Sequence, residues 1–336
     1  MMNRRQQGAS GLACVCAAVA LALFCVPALA DNATAPITSA RVTLLSTMLV
    51  DYIGDNEGVG EWGFAALVEA DGRKILFDTG AHPDTVLNNA RALGIDLSDI
   101  TDVVLSHFHS DDTGGLVALR RELRQRNPHA LERAHVAVGF FWPRRADGKV
   151  LEETTRLKGD YVALGGTFIQ HEHAEQLFPG IWLTGPVPRV TDEHNFGAGL
   201  EVLRPDGKWT PDDVPDDDSL VLDTKEGLIV VTGCGHAGII NTLMAAAARV
   251  RSSPVNAVIG GLHLFASGDE HVDWTAQEMR RLRVQHLLGA HCTGIEALAR
   301  LRVGAGLDRA TAVQGAVGAT YTLDKGIDAG PLGLAR

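Results

Sequence analysis

Short apolar runs separated by turn residues recur along most of the chain, a pattern that predicts strands alternating with helices. Two such runs, residues 62–69 and 74–77, flank Ala-Asp-Gly-Arg, and Asp-Gly is a preferred turn of β-hairpins. A helical pattern with apolar residues at positions 86, 87, 90 and 93 follows and ends at Gly94. Residues 100–105 then predict a short buried strand, and the positions from Thr113 onward predict a helix with leucines on its inner face.

The second half of the chain repeats this order of elements. The segments LVEADGRKILFDTGAH and LVLDTKEGLIVVTGCGH both run from a hairpin through an apolar strand to Thr-Gly, a loop with a histidine, and a helix. Further strand-and-loop units are expected at 257–263 and 284–291, and closing strands at 311–323. A weak internal duplication of this kind predicts two similar halves packed together, with two sheets inside and helices outside.

In residues 128–218 the apolar positions follow neither the helical period nor the strand period clearly. We interpret these residues as an irregular substrate-loop region within a single domain that spans 31–336. The run PDDVPDDDS near the end of this region is interpreted as a solvated acidic turn rather than a calcium site, because turns of this composition are much the commoner case.

The first thirty residues have the three-part pattern of a secretory signal peptide. Arg4 and Arg5 precede an uncharged apolar run at 12–26, and Pro27 is followed by small residues that predict cleavage near Ala30. The alternative is a membrane anchor, but the run is shorter than the ~20 residues of a span and ends at a proline. The mature protein is therefore expected to be periplasmic or secreted, without stable membrane association.

The net charge limits the kinds of partner that the protein can bind, and the cysteine content limits its possible disulfides. The chain carries a formal net charge of −11, and this disfavours nucleic acid and anionic lipid as partners and leaves a small-molecule substrate. Of five cysteines, only Cys234 and Cys292 remain after the predicted cleavage. They would either pair in an oxidising compartment or serve as small buried packing residues. The sequence does not indicate an oligomeric state.

Histidines end several predicted strands. His107 and His109, two residues apart after the strand at 100–105, can direct neutral imidazole nitrogens at one ion, and Asp111 follows two residues later. Three further histidines stand in glycine-containing loops after three other predicted strands, namely His236, His263 and His291. Because independent strand ends rarely present so many histidines by chance, the sequence predicts a metal site.

The motifs SHFHSDDTGGL, FDTG, TGCGHAGIINTL, IGGLHL and HCTG in combination resemble the metallo-β-lactamase fold. More narrowly, they resemble the metal-dependent hydrolases that include the archaeal dihydropterin–ribofuranosylaminobenzene phosphate synthases. The resemblance extends from about residue 41 to 323. It implies an α/β fold built as a four-layer αββα sandwich, with one or two zinc ions in a cleft at the sheet edges.

The resemblance also implies roles for individual residues. His107, His109 and His236 would hold the first metal, and Asp111 and His291 the second. His263 stands where many relatives have a bridging aspartate and would be a further ligand. Asp78, in FDTG, would either order the ligand loop through hydrogen bonds or cap a turn.

Two positions depart from the family pattern. Asp112 replaces a histidine that ligates the second metal, and Trp62 replaces another histidine common in relatives. An aspartate at 112 would either ligate, making the second site more tolerant of manganese or iron, or fall short and leave one metal.

The expected chemistry is hydrolysis. A bound metal lowers the pKa of water to about 7, and Asp111 would orient that water and carry its proton as the catalytic residue. The expected substrate is a cyclic ester, a lactone or a phosphodiester. Two alternatives stay open, a pterin-linked transferase and a non-catalytic metal-binding or ligand-binding protein of the same fold.

Overall fold

The structure is a computed structural model that describes residues 35–51, 58–193, 195 and 199–333. The predicted signal peptide and its cleavage position lie outside these residues. The described residues from 35 onward form one compact unit. Within them, no helix is both long and apolar enough to cross a bilayer.

The strands and helices are short. In chain order the strands are β1 (Ala40–Ser46), β2 (Ala65–Ala70), β3 (Arg73–Phe77), β4 (Asp102–Val104), β5 (Arg133–Ala137), β6 (Arg144–Ala146), β7 (Lys149–Val150), β8 (Thr167–His171), β9 (Glu175–Phe178), β10 (Ile181–Leu183), β11 (Leu200–Leu203), β12 (Trp209–Pro211), β13 (Ser219–Thr224), β14 (Gly227–Thr232), β15 (Val255–Gly260), β16 (His286–Gly289), β17 (Ala312–Gln314), β18 (Thr320–Thr322) and β19 (Gly326–Asp328). The helices are α1 (Thr85–Ala92), α2 (Ser110–Thr113), α3 (Leu116–Leu123), α4 (Glu153–Ala163), α5 (Ile239–Arg249), α6 (Asp269–Arg281), α7 (Ile295–Gly304) and α8 (Gly330–Gly333).

Two large sheets form the centre of the fold. The first has the strand order β19-β18-β1-β2-β3-β4-β5-β8, and the second has the order β17-β16-β15-β14-β13-β10-β9. A smaller sheet, β12-β11-β6-β7, accompanies them. Each large sheet combines an antiparallel hairpin, β2–β3 or β13–β14, with parallel strands beyond it. The two-half plan predicted from the internal duplication is therefore confirmed.

Most of the buried apolar side chains of the described residues form three layers of core. One lies between the two sheets, and each of the others lies between one sheet and its helices. β14 contributes to two of these layers, because Ile229 and Val231 face the other sheet while Leu228 and Val230 face the helices. Successive side chains of a strand point to opposite faces, so an unbroken apolar strand has both faces buried. The observed order is helix, sheet, sheet, helix, which confirms the predicted four-layer αββα sandwich.

The prediction that residues 128–218 are irregular is wrong. This region contains β5 to β12 and α4, and β5, β8, β9 and β10 extend the two large sheets. Its strands have only two to five residues, and several are half-buried along their length, so they lack the alternation that marks a strand.

The acidic run at the end of this region is also not a solvated turn. Asp212, Asp216, Asp217 and Asp218 are all buried. A run of polar letters suggests exposure, but here an arginine and backbone N–H groups supply partners inside the protein.

Candidate metal centre

The fold brings the predicted histidine loops to one edge of the sheets. β14, β15 and β16 are parallel neighbours, so the loops after them, which carry His236, His263 and His291, emerge on the same side. β4 is likewise parallel to its neighbours in the other sheet and leads into His107 and His109. The carboxyl ends of parallel strands are where α/β folds place ligands.

Three imidazole nitrogens converge on one point. His107 Nε2 lies 2.8 Å from His109 Nδ1 and 3.2 Å from His236 Nε2, and the last two nitrogens lie 3.1 Å apart. Zinc–nitrogen bonds of about 2.0–2.1 Å in tetrahedral geometry place two ligand nitrogens roughly 3.3 Å apart. The triangle therefore has nearly the size that one divalent ion requires, and these residues fit a metal.

The outer nitrogens of these rings hold them in the ligating orientation. His236 donates its Nδ1 hydrogen to the carbonyl of Asn195, so its Nε2 carries the lone pair. His107 Nδ1 lies 3.0 Å from Ser106 Oγ. Burial lowers the pKa of His107 and His236 well below the usual value, and the neighbouring histidines lower it further. Burial also lowers the pKa of His109 to about 4. All three rings are thus neutral near pH 7, the form that binds metal.

A second cluster of candidate ligands adjoins the triangle. The ligand atoms of Asp111, Asp112, Cys234 and His291 lie within 4.8 Å of one another. Asp111 Oδ2 is 3.4 Å from His291 Nε2, and the Cys234 thiol donates to Asp112 Oδ2 at 3.3 Å. Asp112 Oδ1 and both ring nitrogens of His291 are buried without a hydrogen-bond partner in the protein. Buried polar atoms left in this way are typical of a site that takes a ligand.

The charges around this cluster favour a cation. Burial alone would lower the pKa of His291, but Cys292, Asp112 and Asp111 raise it well above its usual value. Burial raises the pKa of Asp112, and the neighbouring carboxyl of Asp78 adds to this effect. Burial also works to raise the pKa of Asp111, yet His291 holds it below its usual value. These shifts reflect burial and repulsion between crowded acidic groups, and a bound cation would relieve that repulsion.

Asp78 orders the first ligand loop. Its Oδ1 accepts the backbone N–H of Ser106 at 2.7 Å, which agrees with the loop-ordering role expected for it. A side chain at Gly233 would overlap Ser106 Oγ and Asp78 Oδ2, so the two ligand loops can approach only with glycine there. Asp78, His263 and His291 all have positive φ angles, at 56°, 49° and 44°. Residues other than glycine seldom adopt this conformation, and it is concentrated at functional sites.

The buried acidic run holds the ligand loops from behind. Asp217 Oδ2 accepts the backbone N–H of Ala237 at 2.8 Å, one residue after His236. The backbone N–H of Asp218 donates to Ser106 O at 2.9 Å, one residue before His107.

Arg144 lies behind the same loops. Its guanidinium stacks on Phe108, between the first two histidines, at 3.5 Å from the ring centroid. Its Nε donates to Asp212 at 2.9 Å and its second terminal nitrogen to Asp216 at 2.5 Å. Arg144 is therefore a buried structural residue.

His263 and Trp62 line a cavity of about 360 Å³ beside the ligands. The His263 ring centroid is 4.4 Å from that of His236, yet His263 belongs to none of the converging ligand groups found among the described residues. Its role as a ligand stays a prediction. Trp62 contacts His291 edge-on with ring centroids 5.2 Å apart, so it covers the second cluster. A larger hollow of about 650 Å³ lies between α6 and α7, but the converging ligand groups do not line it.

Sequence reasoning missed four contributors to the site. Cys234 and Cys292 are free buried thiols, and both lie among the candidate ligands instead of serving only as packing. The spacing of two between Cys234 and His236 was a usable signal, since ligands often cluster in one loop. The Asn195 carbonyl and Asp217 carried no such signal, because both act across long sequence separations.

Comparison with known proteins identifies relatives along most of the chain. Residues 63–253 match the Metallo-beta-lactamase superfamily. The chain is 31% identical over 260 residues to the 7,8-dihydropterin-6-methyl-4-(beta-D-ribofuranosyl)-aminobenzene-5'-phosphate synthase of Methanocaldococcus jannaschii, covering 75% of this chain and 87% of the relative. It is 28% identical to the uncharacterized protein MJ0448 of the same organism, over 76% of this chain and 92% of that protein.

A solved structure agrees with these relatives. The structure of Tm1679, described as a metal-dependent hydrolase of the beta-lactamase superfamily, matches with a TM-score of 0.66 and 27% sequence identity. The match covers 84% of this chain and 98% of that one.

Proposed function

This chain belongs to the metallo-β-lactamase superfamily, and from that premise we propose that it is an exported metal-dependent hydrolase acting on a cyclic ester, a lactone or a phosphodiester. The superfamily fold implies divalent-metal binding. The observation that carries the proposal is the convergence of three neutral imidazole nitrogens within 3.2 Å of one another beside an open cavity.

The residues of the site would have separate roles in metal binding and proton transfer. His107, His109 and His236 would hold a zinc ion, which when bound supplies a Lewis acid and makes water acidic enough to react near neutral pH. Asp111 is partly exposed to the cavity, and its lowered pKa keeps it ionised. It would orient the attacking water, accept a proton from it and pass that proton to the leaving oxygen.

A second ion would be held by Asp111, Asp112 and His291. Two carboxylates make this set richer in oxygen than the first, so it would accept manganese or iron as well as zinc. Asp112 is aimed into the cluster rather than away from it, which supports ligation over a one-metal arrangement.

A pterin-linked transferase is the second candidate, and the 31% identity to an archaeal synthase favours it. The predicted signal peptide favours export and therefore argues against chemistry on intracellular intermediates. A non-catalytic binding protein is the third candidate, with Asp112 as the feature in its favour.

Metal-dependent turnover tests the proposal. The mature protein is stripped with a chelator, reloaded separately with zinc, manganese and iron, and assayed on chromogenic esters, lactones and bis(p-nitrophenyl) phosphate. We expect turnover that requires reloading and that falls about 100-fold or more in Asp111→Asn, since general base catalysis contributes this much. Glu152→Gln is the control, because Glu152 is exposed and does not line the cavity. No turnover with any metal would contradict the proposal.

A further inference from the structure

The cavity beside the ligands has apolar and acidic walls. Its apolar side chains are those of Trp62, Phe108, Leu151, Leu200, Val214 and Phe265. Apart from histidines, its ionisable side chains are Asp111, Glu153 and Asp212. Among the residues that the structure describes, neither lysine nor arginine lines it.

Two neighbouring arginines of β6 are already engaged with carboxylates. Arg144 is buried between Asp212 and Asp216. Arg145 is bound to Glu201 through two hydrogen bonds. The internal residues outside the description, 52–57, 194 and 196–198, contain neither lysine nor arginine in their sequence. A negatively charged group on a substrate would therefore find no side-chain cation on the wall.

Bound metal would add positive charge at the floor of the cavity. A divalent ion is the largest local charge in such a site, but Asp111 and Asp112 would offset that of the second ion. Positive potential would be strongest at the place where the reacting carbonyl would sit and would weaken toward the walls. The walls around the rest of the substrate would stay apolar or negative, with the carboxylate of Glu153 among them.

Two exposed aromatic rings stand at this cavity. Trp62 is 45% exposed and Phe265 50% exposed, and they meet edge to face with centroids 5.1 Å apart. Large exposed aromatic side chains that line one cavity are typical of a ligand site. Their faces suit an apolar group, and ring faces also attract cations.

We infer that the substrate is a carboxylic ester or lactone whose non-reacting part is apolar and either uncharged or cationic, rather than a phosphodiester or a phosphorylated compound. This inference rests on the proposed function and narrows its substrate class.

Binding of three matched metal-chelating probes tests it without turnover. Phenylacetohydroxamic acid, its para-trimethylammonium derivative and its para-carboxylate derivative share one chelating group and differ in the charge of the tail. Their dissociation constants are measured by calorimetry on the zinc-loaded mature protein. We expect the neutral and cationic probes to bind at least about fivefold more tightly than the anionic probe, with the cationic preference weakening at high salt.

Glu153→Arg places a cation on the wall and should shift the ranking toward the anionic probe by about tenfold. Glu152→Arg adds the same charge at an exposed neighbour outside the cavity and should leave the ranking unchanged. The inference would be overturned if the anionic probe bound most tightly, or if Glu153→Arg left the order of the dissociation constants unchanged. It would also be overturned if none of the probes bound.

The outcomes separate the two proposals. The expected ranking without metal-dependent turnover of any ester, lactone or phosphodiester would contradict the proposed function alone. Metal-dependent turnover with a reversed ranking would contradict the substrate class alone.

Discussion

Asp112 is the residue at which the sequence is predicted to depart most clearly from the family pattern. It is fully buried, accepts from Cys234 and lies 3.5 Å from His107 Nε2, so its carboxylate adjoins both candidate metal positions. Compared with the imidazole of a histidine, a carboxylate there is a harder, oxygen donor. Oxygen ligands favour manganese and magnesium, whereas imidazole favours zinc.

The variant Asp112→His should therefore change metal preference at the second site. We expect the affinity of the second equivalent to rise for zinc and fall for manganese, by about tenfold in the ratio of the two. Elemental analysis after competitive loading with both metals measures this ratio. Asp112→Asn keeps the size of the side chain and removes its charge, so it should weaken binding of both metals without reversing their order. An unchanged ratio in Asp112→His would show that residue 112 does not ligate.

At the scale of elements, the site depends on loops held by a buried acidic run. Asp217 holds the loop after β14, and the backbone of Asp218 holds the loop after β4. Arg144 secures the run through Asp216 and stacks on Phe108. Partners of this kind orient metal ligands without contacting the metal.

Removing one such contact should weaken metal binding. In Asp217→Ala the Ala237 N–H loses its acceptor, and we expect zinc affinity to fall about 10-fold to 100-fold. Asp217→Asn keeps an acceptor oxygen and should restore most of the loss. Asp213→Ala is the control, because that carboxylate pairs with Arg204 instead of a ligand loop. Equal zinc affinity in Asp217→Ala and Asp213→Ala, measured by competition with a chromogenic chelator, would refute the positioning role.

The elements with strong periodicity could be predicted from sequence, whereas the partners of the site could not. β14 was predicted as a strand and α5 as a helix because their residues are uniformly or periodically apolar. A metal site could be predicted because several histidines follow predicted strands, and the grouping of His107, His109 and His236 could be predicted from the resemblance to the family. The contact between Cys234 and Asp112 joins residues 122 positions apart, and no local pattern encodes it. The short strands β5 to β12 could not be predicted, because half-buried strands show little alternation of apolar and polar residues.

At the scale of the whole molecule, the candidate ligands come from both sheets. His107, His109 and Asp111 follow β4 of the first sheet, whereas His236 and His291 follow β14 and β16 of the second. An ion held by both sets would join the two halves of the sandwich. Because such an ion binds the folded chain far better than the unfolded one, its binding free energy adds to the stability of the whole fold.

Calorimetric titration of zinc into the chelator-stripped protein, followed by thermal unfolding, tests this account most directly. We expect at least one zinc per chain and a stabilisation of about 2.7 kcal/mol when free zinc is 100-fold above the dissociation constant. In His107→Ala the first equivalent and its stabilisation should be lost, whereas His129→Ala, an exposed histidine distant in sequence from the ligands, should match the wild type. Absence of zinc binding to the wild type, or binding that His107→Ala leaves intact, would contradict the metal centre on which the proposed hydrolase depends.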